Sequence, residues 1–179
     1  ADTKSIEQAI AERRLQLRRI DAELAGSPIT RTPADANERA PLFQQTLAQY
    51  QARRQATLDA LATERATLAK AHQDLRAAAE IEAKLRHTLP IYQQQEEAWD
   101  RLAREGFAGK LMALDKTKDR LEREQEMRAQ QATIESARAT IAQSNARLAA
   151  IESTTRQQLQ NERVEAQATL AKLEQEGAK

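Results

Sequence analysis

A chain of 179 residues with 31% charged and 3% aromatic side chains is poor material for a globular core, which argues against a compact enzyme. A formal charge of +1, with acids and bases interspersed, leaves no basic stripe to track a phosphate backbone, so nucleic acid is not an expected partner. Absent cysteine excludes disulfides and thiolate metal sites, and only four glycines and four prolines are present to interrupt structure, so long helices and coiled coil are expected.

No run approaches the roughly 18 apolar residues of a membrane span, and no signal-peptide pattern is visible. The chain opens at Ala1 rather than Met, as an excised piece with its anchor left out would. Over residues 1–25 a short N-terminal helix is predicted. Ile6, Ile10, Leu17, Ile20 and Leu24 keep helical spacing, with Arg13 at one polar seam position, and Ser5 with Gln8 forms a candidate capping box. Gly26-Ser27-Pro28 ends it. This helix is too short to stand alone in water. It is expected to fold back antiparallel on the next helix near Leu47 to Leu61, and to touch the last helix near Leu159 to Leu173.

Residues 26–37 lack either periodicity and read as a loop, with Asp35 or Asn37 as the cap of the second helix and Pro41 tolerable in its first turn. A long ascending helix is predicted over 38–105. Its heptad seam is expected at Leu47, Gln51, Arg54, Leu58, Leu61, Arg65, Leu68, His72, Leu75, Ala79 and Glu82. Pro90 removes a backbone donor, so a kink or break is expected at 88–91. Gly106 and Gly109 bracket a reversal at 106–109, the hairpin tip. A descending helix then covers 110–179, with Leu114, Leu121, Ile134, Ala137, Ile141, Leu148 and Ile151 on the seam. Beyond Ile151 the apolar positions slip by one residue, to Leu159, Ala166, Leu170 and Leu173, as a change in the number of partner helices would require. Each arm, at 1.5 Å per residue, would extend about 100 Å. The fold class is all-α, a long antiparallel coiled-coil hairpin with a short third helix packed on its base.

Few residues suggest chemistry. His72 and His87 have no cysteine to help them, so no metal site is expected, and His72 reads as a polar seam residue. Gly106-Phe107-Ala108-Gly109 has the GxxG form of RNA-binding KH loops but lacks their α/β setting. Glu96, Glu97 and Asp100 have no pocket to desolvate them and read as a solvated face. Acid-first pairs Glu97 to Arg101 and Asp100 to Arg104 support helix. Tyr92, Trp99 and Phe107 gather three of the chain's five aromatics near the reversal, where they either pack locally or meet a partner.

A short helix, a Pro-containing loop, two long helices and a tip running from Leu102 through Gly106-Phe107-Ala108-Gly109-Lys110 resemble the helical hairpin of periplasmic membrane fusion proteins, the HlyD-like adaptors of type I secretion. In the commoner tip motif of that family an arginine precedes the leucine by four positions and a serine comes seven after it. Here the leucine is Leu102, while Ala98 and Gly109 occupy the other two places. The opening Ala1-Asp2-Thr3 and the Leu89-Pro90 element are also similar to type I secretion adaptors, and the third helix favours them over two-helix drug-efflux adaptors. The resemblance implies a non-enzymatic role in protein transport: the adaptor bridges an inner-membrane ABC transporter and an outer-membrane TolC-like channel. It is anchored in the inner membrane by a segment outside this sequence and assembles as a hexamer. No cofactor is implied. The tip would dock on the channel through Leu102 and Phe107 as apolar contacts and Arg101, Arg104 and Lys110 as polar ones, with Gly106 and Gly109 shaping the turn. A coiled-coil tether without a transport role is the alternative reading.

Positions equidistant from Ala108 carry apolar residues on both arms: Leu68 with Leu148, Leu75 with Ile141, Ala79 with Ala137. Cysteines at either of the first two pairs should form an intramolecular disulfide, which needs Cα atoms about 4.4–6.8 Å apart. Cross-links appearing only between chains on a non-reducing gel would instead mean an intermolecular coiled coil.

Overall fold

In a computed structural model that describes residues 2–179, the first helix starts where Asp2 accepts a hydrogen bond from the Lys4 amide, so Asp2 and not Ser5 is its cap. Ala1 lies outside the described residues. Helix α1 is Thr3–Ala25, α2 is Ala40–Arg104 and α3 is Lys110–Gly177, with 3-10 turns at Pro33–Asp35 and Asn37–Arg39 and no strand among the described residues. The fold is all-α: a long antiparallel hairpin with a short third helix packed on its base. Gly26, at φ 69°, ends α1 in the left-handed conformation, and the Ser27 amide reaches back to the Ala22 carbonyl at 3.0 Å.

The chain divides into two compact units, one holding the segment up to Glu64 together with Arg147–Lys179, the other Arg65–Ala146. In the first unit α1 lies against both long helices. It runs antiparallel to α3: Arg14 pairs with Glu174 at 3.1 Å, Asp21 with Arg163 at 2.8 Å, and Ile6 lies beside Gly177. Along α2 the numbering instead rises together. Lys4 to Ala11 border Glu38 to Leu42, Gln16 and Arg19 border Gln45 to Gln49, and Glu23 meets Arg53 at 3.2 Å. The expected antiparallel return is therefore wrong, and the loop explains why. Residues 27–32 lie outside any helix and in extended form reach about 20 Å, and the 3-10 turns that follow, at a rise of about 2.0 Å per residue, add about 14 Å, together about the length of α1 at about 35 Å, so the chain travels back beside α1 before α2 begins.

That returning strap is held by name. Arg18 donates to both carboxylate oxygens of Asp35, at 2.9 and 3.0 Å, and to the Thr30 carbonyl at 2.7 Å. The Tyr50 hydroxyl donates to the Ser27 carbonyl at 2.8 Å. Ile29 joins Leu15, Ala22, Phe43 and Tyr50 in one apolar cluster, while Ile20, Leu159 and Ala166 form another toward α3. Helix α1 thus has two apolar faces, not one stripe, and Arg13 is exposed. Asp35 is occupied by Arg18 and Thr32 and does not cap α2, which begins at Ala40, two residues beyond the expected Glu38, after a turn in which Asn37 takes φ 61°. Among these contacts Arg19 is 2% exposed and bonds Glu23 and Glu162, the latter at 3.0 Å; Arg53 bonds the same two carboxylates. Burial pushes the Glu162 carboxyl up, but hydrogen bonds from Arg19 and Arg53 outweigh it and leave its pKa below the ordinary value. Alternating charges from all three helices close this network, and removal of Arg19 would leave Glu23 and Glu162 to share the single, partly exposed Arg53.

In the second unit the inward face of α2 carries Leu68, Ala71, Leu75, Ala78, Glu82, Leu85, Leu89, Tyr92, Glu96, Trp99 and Ala103, with Ala83 and Thr88 half-buried beside it. The leucines expected at every seventh position hold, but the intermediate seam position falls one residue earlier. His72 and Ala79 are exposed, and Ala71 and Ala78 are buried in their place. The same shift operates in the first unit, where Tyr50, Arg53 and Thr57 turn inward and Gln51, Arg54 and Leu58 outward. A heptad leaves both choices open. Alanine decides it, because the buried positions of α3 alongside are Ala137 and Ser144, each one residue short of the mirror of Ala78 and Ala71, and small residues let the two backbones approach closely. Helix α2 is continuous through Pro90, which lies on the exposed face, so no break occurs at 88–91.

Asp35 is 5% exposed, and its hydrogen bond from Arg18, ahead of the opposing cost of burial, lowers its pKa from 3.8 to about 2. A depressed carboxyl contributes stability above its unfolded pKa and loses it as pH falls through the folded one. Asp35→Asn should therefore cost on the order of 2 kcal/mol at neutral pH. Acid unfolding monitored by circular dichroism should accordingly be shallower between pH 4 and pH 2 in the variant.

Candidate functional site at the hairpin tip

Helix α2 ends by the same device as α1. The Phe107 amide donates to the Leu102 carbonyl at 2.8 Å and the Gly106 amide to the Ala103 carbonyl at 3.2 Å, with Gly106 at φ 82°. Such a termination places Phe107 and Leu102 at the two positions whose side chains usually accompany it as an apolar pair. Gly109 supplies the carbonyl that accepts the first α3 hydrogen bond, from Ala113 at 3.3 Å, so it stands at the N-cap. A serine there would cap the helix with its hydroxyl; glycine caps it nearly as well.

All the residues expected to dock, Arg101, Leu102, Arg104, Gly106, Phe107, Gly109 and Lys110, are at the surface of this one turn. Phe107 is 77% exposed and Leu102 37%. Arg104 pairs with Asp100 at 3.1 Å, as the i, i+4 spacing predicts. The three aromatics divide. Tyr92 and Trp99 are half-buried and face cations of α3, Arg123 at 5.2 Å and Lys116 at 5.9 Å from the ring centres, so they pack locally. Phe107 alone stands free for a partner. Of the acids, Glu96 accepts from Arg120 at 2.7 Å, and Arg120 also donates to Glu124 at 2.9 Å. Those hydrogen bonds, from Glu96 first, raise the Arg120 pKa further. Glu96 and Arg120 are equidistant from Ala108, in the register that the sequence predicts.

One expectation fails here. Leu114 and Leu121 are not on the seam; they are 58% and 51% exposed, and Leu111 is 83% exposed. The seam of α3, counted back from Ile134 through Gln130 and Met127, is Arg123, Arg120, Lys116 and Ala113. Leu111, Leu114 and Leu121 share one outer face with Lys118, at helical spacing. Full burial of a leucine is worth about 1.5–3 kcal/mol, so the tip leaves several kcal/mol of burial unused. The heptad count back from Ile134 was the available signal for this. Among the described residues no cluster of three metal-ligating side chains occurs, both histidines are exposed, and no helix is long and apolar enough to cross a membrane.

No protein-family model matches the chain, and no curated protein sequence does. Among solved structures the fold is similar to that of the soluble domain of LipC, a membrane fusion protein of a type I secretion system. The TM-score is 0.86 and the sequence identity 14%, with 98% of this chain and 85% of that chain covered. At that identity the likeness is one of fold.

The two tip glycines should respond differently to substitution. A Cβ meets nothing within 4 Å at either, so only backbone conformation matters. Gly106→Ala should destabilise by about 1–2 kcal/mol, the cost of the left-handed region for a residue with a Cβ. Gly109→Ser should be neutral or stabilising by about a few tenths of a kcal/mol. Urea titrations of both variants check the contrast.

Proposed function

We propose that this chain is the hairpin of a periplasmic adaptor for type I protein secretion. The observation that carries the reading is the match, over nearly the whole chain, to the fold of a type I secretion membrane fusion protein. A protruding turn with an exposed phenylalanine and leucine, ringed by Arg101, Arg104 and Lys110, supports the tip as the contact site. The adaptor spans from an inner-membrane ABC transporter to an outer-membrane TolC-like channel, anchored in the inner membrane by a segment outside this sequence. Its work is mechanical and needs no cofactor. A single turn offers few contacts, so affinity comes from several copies acting together, six in the proposed assembly.

Leu102→Asp places a charge where an apolar side chain is desolvated on docking, at a cost of several kcal/mol unless the charge is paired (about 2–7 for a merely polar group). Helix content by circular dichroism should stay nearly unchanged. Secretion of the cognate substrate, and co-purification of the channel with the full-length protein, should both fall sharply with Leu102→Asp and with Phe107→Ala. Normal secretion and channel capture in both variants at ordinary expression levels would remove the tip as the contact site.

A further inference from the structure

The last third of the hairpin is built inside out. Its seam layers are Tyr92 under Arg123, Glu96 on Arg120, Trp99 under Lys116, and Ala103 at the mirror position of Ala113. Leu114 and Leu121 stand outside, each one residue beyond a seam position, beside Ala113 and Arg120. One residue is about 100° of helix rotation. Turning the first turns of α3 by that amount would carry both leucines into the seam. It would also take Lys116, Arg120 and Arg123 out to water, where their charges are fully hydrated.

We infer that the tip segment of α3, from Lys110 to about Met127, has two phases: the charged-seam phase seen here, with leucines outward, and a leucine-seam phase in which Lys116, Arg120 and Arg123 turn outward and Thr117 and Glu124 turn inward with the leucines. Three further features support it. Arg120 holds the charged phase across the helices by its hydrogen bond to Glu96 on α2, beside the Arg123–Tyr92 and Lys116–Trp99 contacts, while its second bond, to Glu124, stays within α3. The N-terminal end of α3 follows directly on the turn, where a Cβ at Gly106 or Gly109 would meet nothing within 4 Å. Helix α3 also accommodates a phase change of one residue elsewhere: between Ile151 and Leu159 its half-buried and buried positions are spaced four and four, through Thr155. The phase decides whether Leu114 and Leu121 join the exposed apolar surface that begins at Phe107. Use of that exposure in docking rests on the function proposed above; the rotation itself does not.

The native chain has no cysteine, so cysteine pairs report the phase in the purified chain without any partner present. Cysteines at Ala103 and Ala113 leave Glu96, Arg120, Leu114 and Leu121 in place and cross-link in the phase seen here; cysteines at Ala103 and Leu114 cross-link in the other. Under mild oxidation the first pair should dominate. Adding Arg120→Gln should shift the ratio of the two yields toward the second pair by about fivefold, the factor at the top of the range for partly exposed ion pairs. Arg120→Leu, which puts an apolar residue at the present seam position, should restore the first pair. An unchanged ratio in Arg120→Gln overturns the two-phase inference, and so does a parallel loss of both cross-links, which would mean fraying. Neither result bears on channel capture, and loss of channel capture by Leu102→Asp would leave the cross-linking ratio as it is.

Discussion

Close approach of two backbones at alanine and serine is the constraint on which the hairpin depends. Leucine recurs every seventh residue on α2 from Leu61 through Leu75, and that alone leaves the intermediate layer undecided between two positions. Ala71 and Ala78 on one arm, with Ala137 and fully buried Ser144 on the other, settle it. Half-buried Leu75 and Ile141 then alternate with these small positions along the two helices of the same unit. Everything nearer the tip inherits its phase from those layers. Counting on by fours and threes delivers Glu96 and Trp99 to the inside of α2, and Arg120 and Lys116 to the inside of α3, whatever their chemistry.

At the other end the same two helices take in a third, and the seam changes accordingly. The one-residue slip after Ile151 falls where α3 enters the three-helix unit, so Leu159 and Ala166 can meet Ile20 while α2 is engaged through Tyr50 and Phe43. Burial of Leu15, Ile20, Ile29, Phe43, Tyr50 and Leu159 stabilises this unit, but apolar contact is non-directional. Specificity is supplied instead by charge: Arg19, Glu23, Arg53 and Glu162 satisfy one another only when all three helices are in register. Buried networks of this kind add little net stability compared with apolar replacements, but they penalise a slipped arrangement heavily, because it would leave Arg19 desolvated and unpaired.

Features decided within a few residues were legible in the sequence, and those decided by distant partners were not. Gly26 and Gly106 mark helix ends because left-handed caps are chosen locally, and both were readable. Register near the turn was readable too, since Glu96 and Arg120, mirrored about Ala108, meet, whereas Ala79 of the mirrored pair Ala79 and Ala137 is exposed. The direction of α1 along α2 was not. It depends on whether the strap that follows Gly26 runs back along α1, and that is held by Arg18 in the middle of α1, which binds Asp35 and the Thr30 carbonyl. The seam phase was half legible. Leu114 and Leu121 look like seam residues from composition alone, and only a strict count from Ile134 shows that they are not. For the tip, the turn and its exposed Leu102 and Phe107 were legible, while Leu111, Leu114 and Leu121 as surface residues were missed.

Those outward leucines invert the usual order of a coiled coil. Selection for stability alone would place Leu114 and Leu121 on the seam and Arg120 in solvent, since burying two leucines exceeds the worth of a partly exposed ion pair. Here the order is reversed over the first turns of α3 after Gly109, whereas farther along α3 Met127, Ile134, Ala137 and Ile141 face inward. Stability is therefore given up locally, where the hairpin ends. Lys116 and Arg123 lie over Trp99 and Tyr92, and Arg120 bridges Glu96, so the polar seam is not left unsatisfied. Such an arrangement keeps the helices paired while leaving leucine on the surface beside Phe107. A contact surface needs that combination: apolar side chains that are solvated until a partner covers them, on a support that holds its shape without them.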